Sequence, residues 1–137
     1  MLVSTRSALL VLSLAICGCS ESFGPEDLEG TWNATTFMFT RPGEAPVNFL
    51  AAGGTLTIFI SETGITTGSL VVPEAIAGSI LSASMAGTAT LEGSTVRFIQ
   101  QADTFVEVIS FTLSGRTMSA VSQNSGGTLF TVVLTRQ

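Results

Sequence analysis

The feature that most constrains the fold of this chain is a succession of short runs of β-branched and aromatic residues, separated by turns that contain glycine. In residues 55–61, apolar and polar side chains alternate and place Leu56, Ile58 and Ile60 on one face. Glu-Gly at 92–93 stands between two such runs, a pattern typical of a β-hairpin. We therefore predict nine strands, at residues 31–40, 46–51, 55–61, 65–72, 84–91, 94–100, 104–113, 117–123 and 128–136.

Strands joined by such short connections predict an all-β fold, an antiparallel up-and-down meander closed as a barrel of eight or nine strands. The same pattern also suits a β-sandwich, which stays open as the alternative. Residues 73–81 are the one stretch with helical character, because Pro73 precedes Glu-Ala-Ile-Ala and proline favours the first turn of a helix. This stretch equally suits a loop across one mouth of a barrel.

The first residues of the chain have the pattern of an export signal. Arg6 is followed by an apolar run at 8–16, which is too short to span a bilayer, since a spanning helix needs about 20 residues. The sequence Ile-Cys-Gly-Cys at 16–19 resembles the signal of bacterial lipoproteins: an aliphatic residue, a tolerant position, a small residue and a cysteine. The resemblance implies cleavage before Cys19 and a lipid on its sulfur. Ordinary secretion with two incidental cysteines is the alternative.

The lipoprotein signal divides the chain into a signal peptide at 1–18, a lipidated cysteine and tether at 19–27, and a domain at 28–137. It implies a place on the extracytoplasmic side of a membrane, reached through acylated Cys19, and in a Gram-negative cell the outer membrane or the periplasm. Residues 19–137 hold four arginines and ten acids, a net charge of −6. Lipid, rather than charge, must therefore hold the domain at an anionic surface.

The composition excludes several classes of function. The chain has no histidine, which excludes nucleophile–histidine catalysis and zinc sites built from cysteine and histidine. Its net charge of −5 argues against nucleic acid as a partner, because phosphates need a basic surface. Most acids of the domain fall in predicted turns, and those at 21–29 lack the spacing of a calcium loop. We therefore expect neither catalysis nor a metal or other cofactor.

Gly30 and Trp32 open the first predicted strand, within Leu-Glu-Gly-Thr-Trp, and Arg136 lies near the end of the last strand. This arrangement resembles the Gly-x-Trp signature of lipocalins and of small bacterial lipocalin-like lipoproteins. In that group the tryptophan closes one end of the barrel, and an arginine of the last strand packs across its ring. The resemblance implies the same closing role for Gly30, Trp32 and Arg136. A guanidinium over an indole is a cation–π contact worth about 0.5–2 kcal/mol.

Arg97 and Glu107 are the charged residues placed in the middle of predicted strands. If residues 101–103 form the loop of a hairpin, Arg97 lies opposite Glu107, and Ile99 lies opposite Phe105. The pair is then either an exposed cross-strand salt bridge, worth under about 1 kcal/mol, or an interior site at which Arg97 binds a ligand carboxylate. The solvent exposure of Arg97 distinguishes the two.

The phenylalanines of the predicted strands, Phe98 and Phe105 among them, have two interpretations. They form the core that a domain of this size needs, or some of them line an apolar cavity at a barrel mouth. We take Arg97, Glu107, Phe98 and Phe105 as candidate ligand-facing residues.

The function we expect is non-catalytic binding of a small apolar or amphipathic molecule in the barrel of a membrane-anchored, lipocalin-like domain. The alternative is a structural or protein-interaction module of the cell envelope, with a filled core and no ligand. Some of the late predicted strands are apolar on both faces. That pattern favours either a two-layer structure or an outer face that meets a partner protein or the membrane.

Overall fold

The computed structural model describes residues 22–137, which form ten antiparallel strands in one sheet. The strands are β1 Gly30–Thr40, β2 Val47–Asn48, β3 Thr55–Ile60, β4 Ile65–Val72, β5 Leu81–Ser84, β6 Gly87–Glu92, β7 Thr95–Gln100, β8 Ser110–Ser114, β9 Thr117–Gln123 and β10 Leu129–Arg136. One helical turn, α1, spans Glu74–Ala77, and 3₁₀ helices span Pro25–Asp27 and Phe105–Val108. No helix within these residues is both long and apolar enough to cross a bilayer.

Eight of these strands close into an up-and-down barrel, which confirms the predicted fold class. The sheet runs in the order β10-β9-β8-β7-β6-β4-β3-β1, and β10 pairs with β1 to complete the ring. The two remaining strands extend it locally: β2 pairs with the end of β1, and β5 pairs with the end of β4. All hydrogen-bonded strand pairs are antiparallel. Short turns join several of these pairs, and only antiparallel strands can be joined in this way.

The connections differ between the two ends of the barrel. Short turns at 61–64, 93–94 and 115–116 lie at the end that also holds Trp32 and Arg136, which we call the closed end. The opposite end, which we call the open end, carries the longer connections at 41–54, 73–86, 101–109 and 124–128. The open end therefore holds β2, α1, β5 and the second 3₁₀ helix, and it offers more surface for a site.

A β-bulge in β1 turns its aromatic residues into the barrel. The register of β1 against β10 shifts by one between Ala34 and Thr36, so Thr35 is an extra residue in the strand. Side chains alternate along a strand, and one extra residue exchanges the two faces. Trp32 is buried before the bulge, and Phe37 and Phe39 are buried after it. Without the bulge, both phenylalanines would point to solvent.

Inward side chains fill the middle and the closed end of the barrel. On β7, for example, buried Val96, Phe98 and Gln100 alternate with outward-facing neighbours. The largest side chains that are essentially inaccessible to solvent are Trp32, Phe98, Phe111, Leu56, Ile58, Ile60, Met85, Leu113, Met118, Leu134, Val96 and Val106. Because these side chains come from six of the eight barrel strands and from two connections, the interior is a packed core over most of its length.

The predicted strand at 104–113 is only half correct. Phe105–Val108 form a 3₁₀ helix, and β8 begins at Ser110. The buried residues of this segment are Val106 and Ile109, three positions apart. That spacing is one 3₁₀ turn, whereas a strand would bury every second residue.

Two other predicted strands are shorter or divided. The strand at 46–51 is reduced to Val47–Asn48, and the one at 84–91 is split between β5 and β6. The split falls at Met85, which is fully buried. Its backbone N–H donates to the carbonyl oxygen of Gly68 at 3.0 Å, and its carbonyl oxygen accepts from the Thr66 hydroxyl at 2.7 Å. These bonds draw the chain inward between the two strands.

Candidate binding site at the open end of the barrel

Trp32 and Arg136 join the chain ends at the closed end. Trp32 is fully buried, and its indole Nε1 donates to the carbonyl oxygen of Leu28 at 2.7 Å. Arg136 lies opposite Trp32 in the register of β1 and β10, with its Cζ 5.7 Å from the ring centroid. The Arg136 Nη1 donates to the carbonyl oxygens of Asp27, at 3.1 Å, and Glu29, at 3.3 Å. The side chain of Arg136 therefore links the last strand to the first strand and to the segment that precedes the first strand.

Gly30 permits this close approach. Its φ of 128° lies in a region that residues with a side chain rarely adopt. A Cβ at this position would lie 3.1 Å from the Cδ of Arg136. A larger residue would therefore strain the backbone and push the arginine stem away from its place over Trp32.

Phenylalanine rings converge at the open end. The ring of Phe37 lies 4.2 Å from that of Phe49 and 5.0 Å from that of Phe105, measured between centroids. Phe105 stacks on Phe130 at 5.3 Å with 8° between the ring planes, and Phe39 lies 6.5 Å from Phe130. Since β1, β10, the 41–54 connection and the 3₁₀ helix each supply a ring, the cluster ties separate parts of the open end together.

An apolar pocket of about 250 Å³, open to solvent, lies among these rings. We call it the aromatic pocket, and its lining residues are Phe37, Phe39, Arg41, Phe49, Leu70, Val72, Ile76, Phe105, Thr128 and Phe130. Val72 at the end of β4 and Ile76 of α1 supply aliphatic wall, so the single helical turn contributes to the pocket. Arg41 is the one charged residue of the lining.

A second depression, of about 520 Å³, adjoins the aromatic pocket. The two share Phe105 and Phe130, so the stacked rings form the wall between them. The rest of its lining is largely polar, with Asp103, Thr104 and Gln123 among the residues that contribute. An apolar ligand is better accommodated by the smaller pocket, because transfer of apolar surface out of water requires apolar walls.

The predicted pairing of Arg97 with Glu107 is wrong. Arg97 lies opposite Ser110 in the register of β7 and β8, and Glu107 belongs to the 3₁₀ helix. Residues 105–108, which would form the second strand of a tight hairpin with β7, form the 3₁₀ helix instead. Arg97 and Glu107 are both exposed. Because Arg97 points outward between buried Val96 and Phe98, an interior carboxylate site at Arg97 is excluded.

Phe98 and Phe105 lie in different surroundings. Phe98 is fully buried and packs edge-on against Phe111, with 5.5 Å between ring centroids, so it belongs to the filled middle of the barrel. Phe105 is half-buried and lines both the aromatic pocket and the adjoining depression. Cys19, the predicted lipidation site, lies outside the described residues.

Sequence reasoning missed Arg41, Phe49 and Ile76 as neighbours in one site. Phe49 follows the short strand β2 and Ile76 lies in α1, in connections whose course is not set by a strand pattern. The sequence does contain one indication that Arg41 lies near a site. It is one of only five basic residues in the chain, and it directly follows the Phe-Met-Phe-Thr end of a predicted strand. Its Cζ lies 5.3 Å from the ring centroid of Phe39.

The chemistry offered by this site is apolar contact together with one cation. No three acidic or cysteine side chains within residues 22–137 cluster closely enough to hold a metal ion. In the same part of the chain, every buried side-chain nitrogen or oxygen has a hydrogen-bond partner. Gln100, for example, accepts from the hydroxyl of Thr104 at 2.6 Å and donates to the sulfur of Met85 at 3.2 Å. These polar groups are satisfied within the fold.

Comparisons with known proteins gave a match to a solved structure. No protein-family model and no curated protein matches the chain. It is similar to the crystal structure of a protein of unknown function from the DUF3598 family of Nostoc punctiforme, with 17% identity and a TM-score of 0.42. The match covers 85% of this chain and 50% of that protein, so this chain spans about half of its neighbour's length. The barrel assignment rests on the strand pairing described above.

Proposed function

We propose that the domain is a non-catalytic binding module that holds a small apolar or amphipathic molecule in the aromatic pocket. The observation that carries the proposal is the convergence of phenylalanine rings around an apolar hollow at the open end of the barrel. The middle of the barrel is packed, and half-buried Phe105 and Phe130 leave a concave apolar surface at the open end. A depression of about 350 Å³ also lies at the closed end, but its lining holds one aromatic ring, Phe23, beside Glu62 and Thr63. Binding sites for small molecules are typically concave and lined by hydrophobic and aromatic side chains.

The size of the pocket limits the ligand. Small-molecule sites typically enclose about 300–1,000 Å³, and the aromatic pocket encloses about 250 Å³. It therefore suits a small molecule, or one end of a longer molecule whose remainder continues into the adjoining depression. Burial of apolar ligand surface makes the binding free energy more favourable by about 25 cal/mol per Å². The proposal places the ligand at the mouth of the barrel, because side chains occupy its middle.

We further propose that the protein is a bacterial lipoprotein of the lipocalin-like kind, anchored by lipid on Cys19 on the extracytoplasmic side of a membrane. Support for the anchor comes from the Ile-Cys-Gly-Cys sequence at 16–19. Support for the lipocalin-like kind comes from the contact of Trp32 with Arg136 at the closed end.

The proposed function is tested on residues 20–137, because the hydrophobic core described here lies entirely within residues 23–134. We expect native mass spectrometry of the purified domain, followed by organic extraction, to reveal a bound apolar molecule. We also expect an NMR titration with 1-octanol to shift the backbone amides of Phe37, Phe105 and Phe130. A domain that carries no molecule and shows no saturable shifts would contradict the proposal.

A matched pair of variants shows whether the aromatic pocket is the site. Ile76→Trp places a large side chain in the wall of the pocket, and it should abolish the 1-octanol shifts. Ile80→Trp is the control, because Ile80 lies just beyond α1, is 72% exposed and is absent from the pocket lining. If both variants bind 1-octanol like the wild type, the ligand lies elsewhere.

The second candidate function is a protein-interaction module of the cell envelope. It is favoured by large apolar side chains that stay exposed on the outer wall and on the second 3₁₀ helix, among them Ile99, Val108 and Val121. Isolated exposed apolar residues are common on monomeric proteins, so this observation is weaker than the aromatic pocket. A domain without any bound molecule that is retained by a specific envelope protein would favour this second function.

A further inference from the structure

We infer that the aromatic pocket selects anionic amphiphiles, specifically alkyl carboxylates, with the chain among the phenylalanine rings and the carboxylate on Arg41. The inference rests on the proposed function of the pocket and adds the chemical class of the ligand. The observation behind it is that one cation borders an otherwise uncharged, mainly apolar lining.

Arg41 is the arginine whose position suits this role. It directly follows β1 and lies over the ring of Phe39, with 5.3 Å from Cζ to the centroid. The other arginines in residues 22–137 lie elsewhere. Arg97 is on the outer wall, and Arg116 and Arg136 lie at the closed end, where Arg116 donates to the carbonyl oxygen of Arg136 at 2.9 Å.

Arg41 already pairs with one carboxylate, that of Glu44, and a ligand carboxylate would have to compete with it. The Arg41 Nη1 lies 3.5 Å from the Glu44 Oε2, and the two side chains are 49% and 55% exposed. An exposed ion pair of this kind is weak. A ligand carboxylate that is also held by its alkyl chain in the pocket would therefore displace Glu44 and can form a bidentate pair with the guanidinium.

The charge around the pocket makes Arg41 decisive for selectivity. The connections of the open end also carry Glu44, Glu74, Asp103 and Glu107. Without Arg41, all the charged side chains near a ligand carboxylate at this end would be acidic. They would repel the carboxylate, whereas a neutral alcohol of the same length would not be repelled. The pocket of about 250 Å³ suits a short alkyl chain, and octanoate is a suitable probe.

Octanoate and 1-octanol form the test pair, because they share a chain length and differ in charge at pH 7. We expect NMR titrations of residues 20–137 to show octanoate binding about fivefold more tightly than 1-octanol, the upper end for an exposed ion pair. Arg41→Gln should weaken octanoate binding far more than 1-octanol binding and so remove the preference. Glu44→Gln should strengthen octanoate binding, because it removes the competing carboxylate. Arg97→Gln is the control and should keep the wild-type preference.

The outcomes separate this inference from the proposed function. If 1-octanol binds the wild type as tightly as octanoate, the inference is overturned and the proposed function stands. If neither compound binds, both fail. If Arg41→Gln also loses 1-octanol binding, Glu44→Gln decides, because an unchanged octanoate affinity in that variant would overturn the inference.

Discussion

Arg136 combines more stabilising contacts than the other charged side chains described here. Its guanidinium covers the ring of Trp32 and donates to the carbonyl oxygens of Asp27 and Glu29. We expect Arg136→Gln to lower the free energy of unfolding by about 1–2 kcal/mol, because glutamine keeps the stem but loses the cation–π contact and the charged donor. Urea unfolding followed by the fluorescence of Trp32, the single tryptophan, measures this change.

The control for Arg136→Gln is Arg97→Gln, which removes an exposed arginine from the outer wall. We expect this control to change stability by less than about 0.5 kcal/mol. Equal losses in the two variants would show that the closed end does not depend on the position of Arg136.

At single residues, the sequence predicted Gly30, Trp32 and Arg136 as a group, because their positions follow a recognisable signature. It did not predict Arg41 or Phe49, and it left the direction of Arg97 open between an exposed salt bridge and an interior site. The predicted partner of Arg97 was wrong because β8 begins at Ser110, after a helix that strand periodicity does not reveal.

The 3₁₀ helix at Phe105–Val108 makes a prediction at the level of the element. In a strand, Val106 and Val108 would share a face and have equal effects. In the helix, Val106 is fully buried and Val108 is 74% exposed. We expect Val106→Ala to lower the free energy of unfolding by about 2 kcal/mol through lost burial and a cavity. Val108→Ala should change it by less than about 0.5 kcal/mol. Similar losses in both variants would favour the strand.

The elements that sequence reasoning misjudged all involve contacts distant in sequence. The 3₁₀ helix places Phe105 between Phe37 and Phe130, and no local pattern specifies those partners. The bulge at Thr35 decides which face of β1 is apolar, yet a regular strand would equally give an apolar face, with Trp32, Ala34 and Met38 on it. By contrast, β3, β4 and β7 were predicted nearly to the residue, since alternation and short turns define them locally.

At the scale of the whole molecule, Phe23, the described residue nearest in sequence to Cys19 that packs on the core, lies at the end of the barrel opposite to the aromatic pocket. Phe23 packs against the core and lies with Leu28 and Gly93 at the closed end. Cys19 precedes Phe23 by four residues, which reach at most about 14 Å. The eight residues of β10 alone extend about 26 Å from the open end to the closed end. The closed end should therefore face the membrane and the aromatic pocket should face away from it.

Fluorescence quenching in vesicles measures this orientation. The full-length protein is purified after export, and under the proposed anchoring Cys17 is removed with the signal peptide while Cys19 carries the lipid. A single labelled cysteine is then introduced by Ser94→Cys at the closed end or by Ser125→Cys at the open end, both exposed positions. We expect a quencher attached to lipid headgroups to quench the label at position 94 more strongly than the label at position 125, because quenching falls steeply with distance from the bilayer. Equal or reversed quenching would contradict the orientation, and a protein that fails to bind vesicles would contradict the anchor.

The expected result would also mean that a ligand enters the pocket from the aqueous side. The protein would then exchange its ligand with the aqueous compartment or with a second surface, rather than with the leaflet that anchors it.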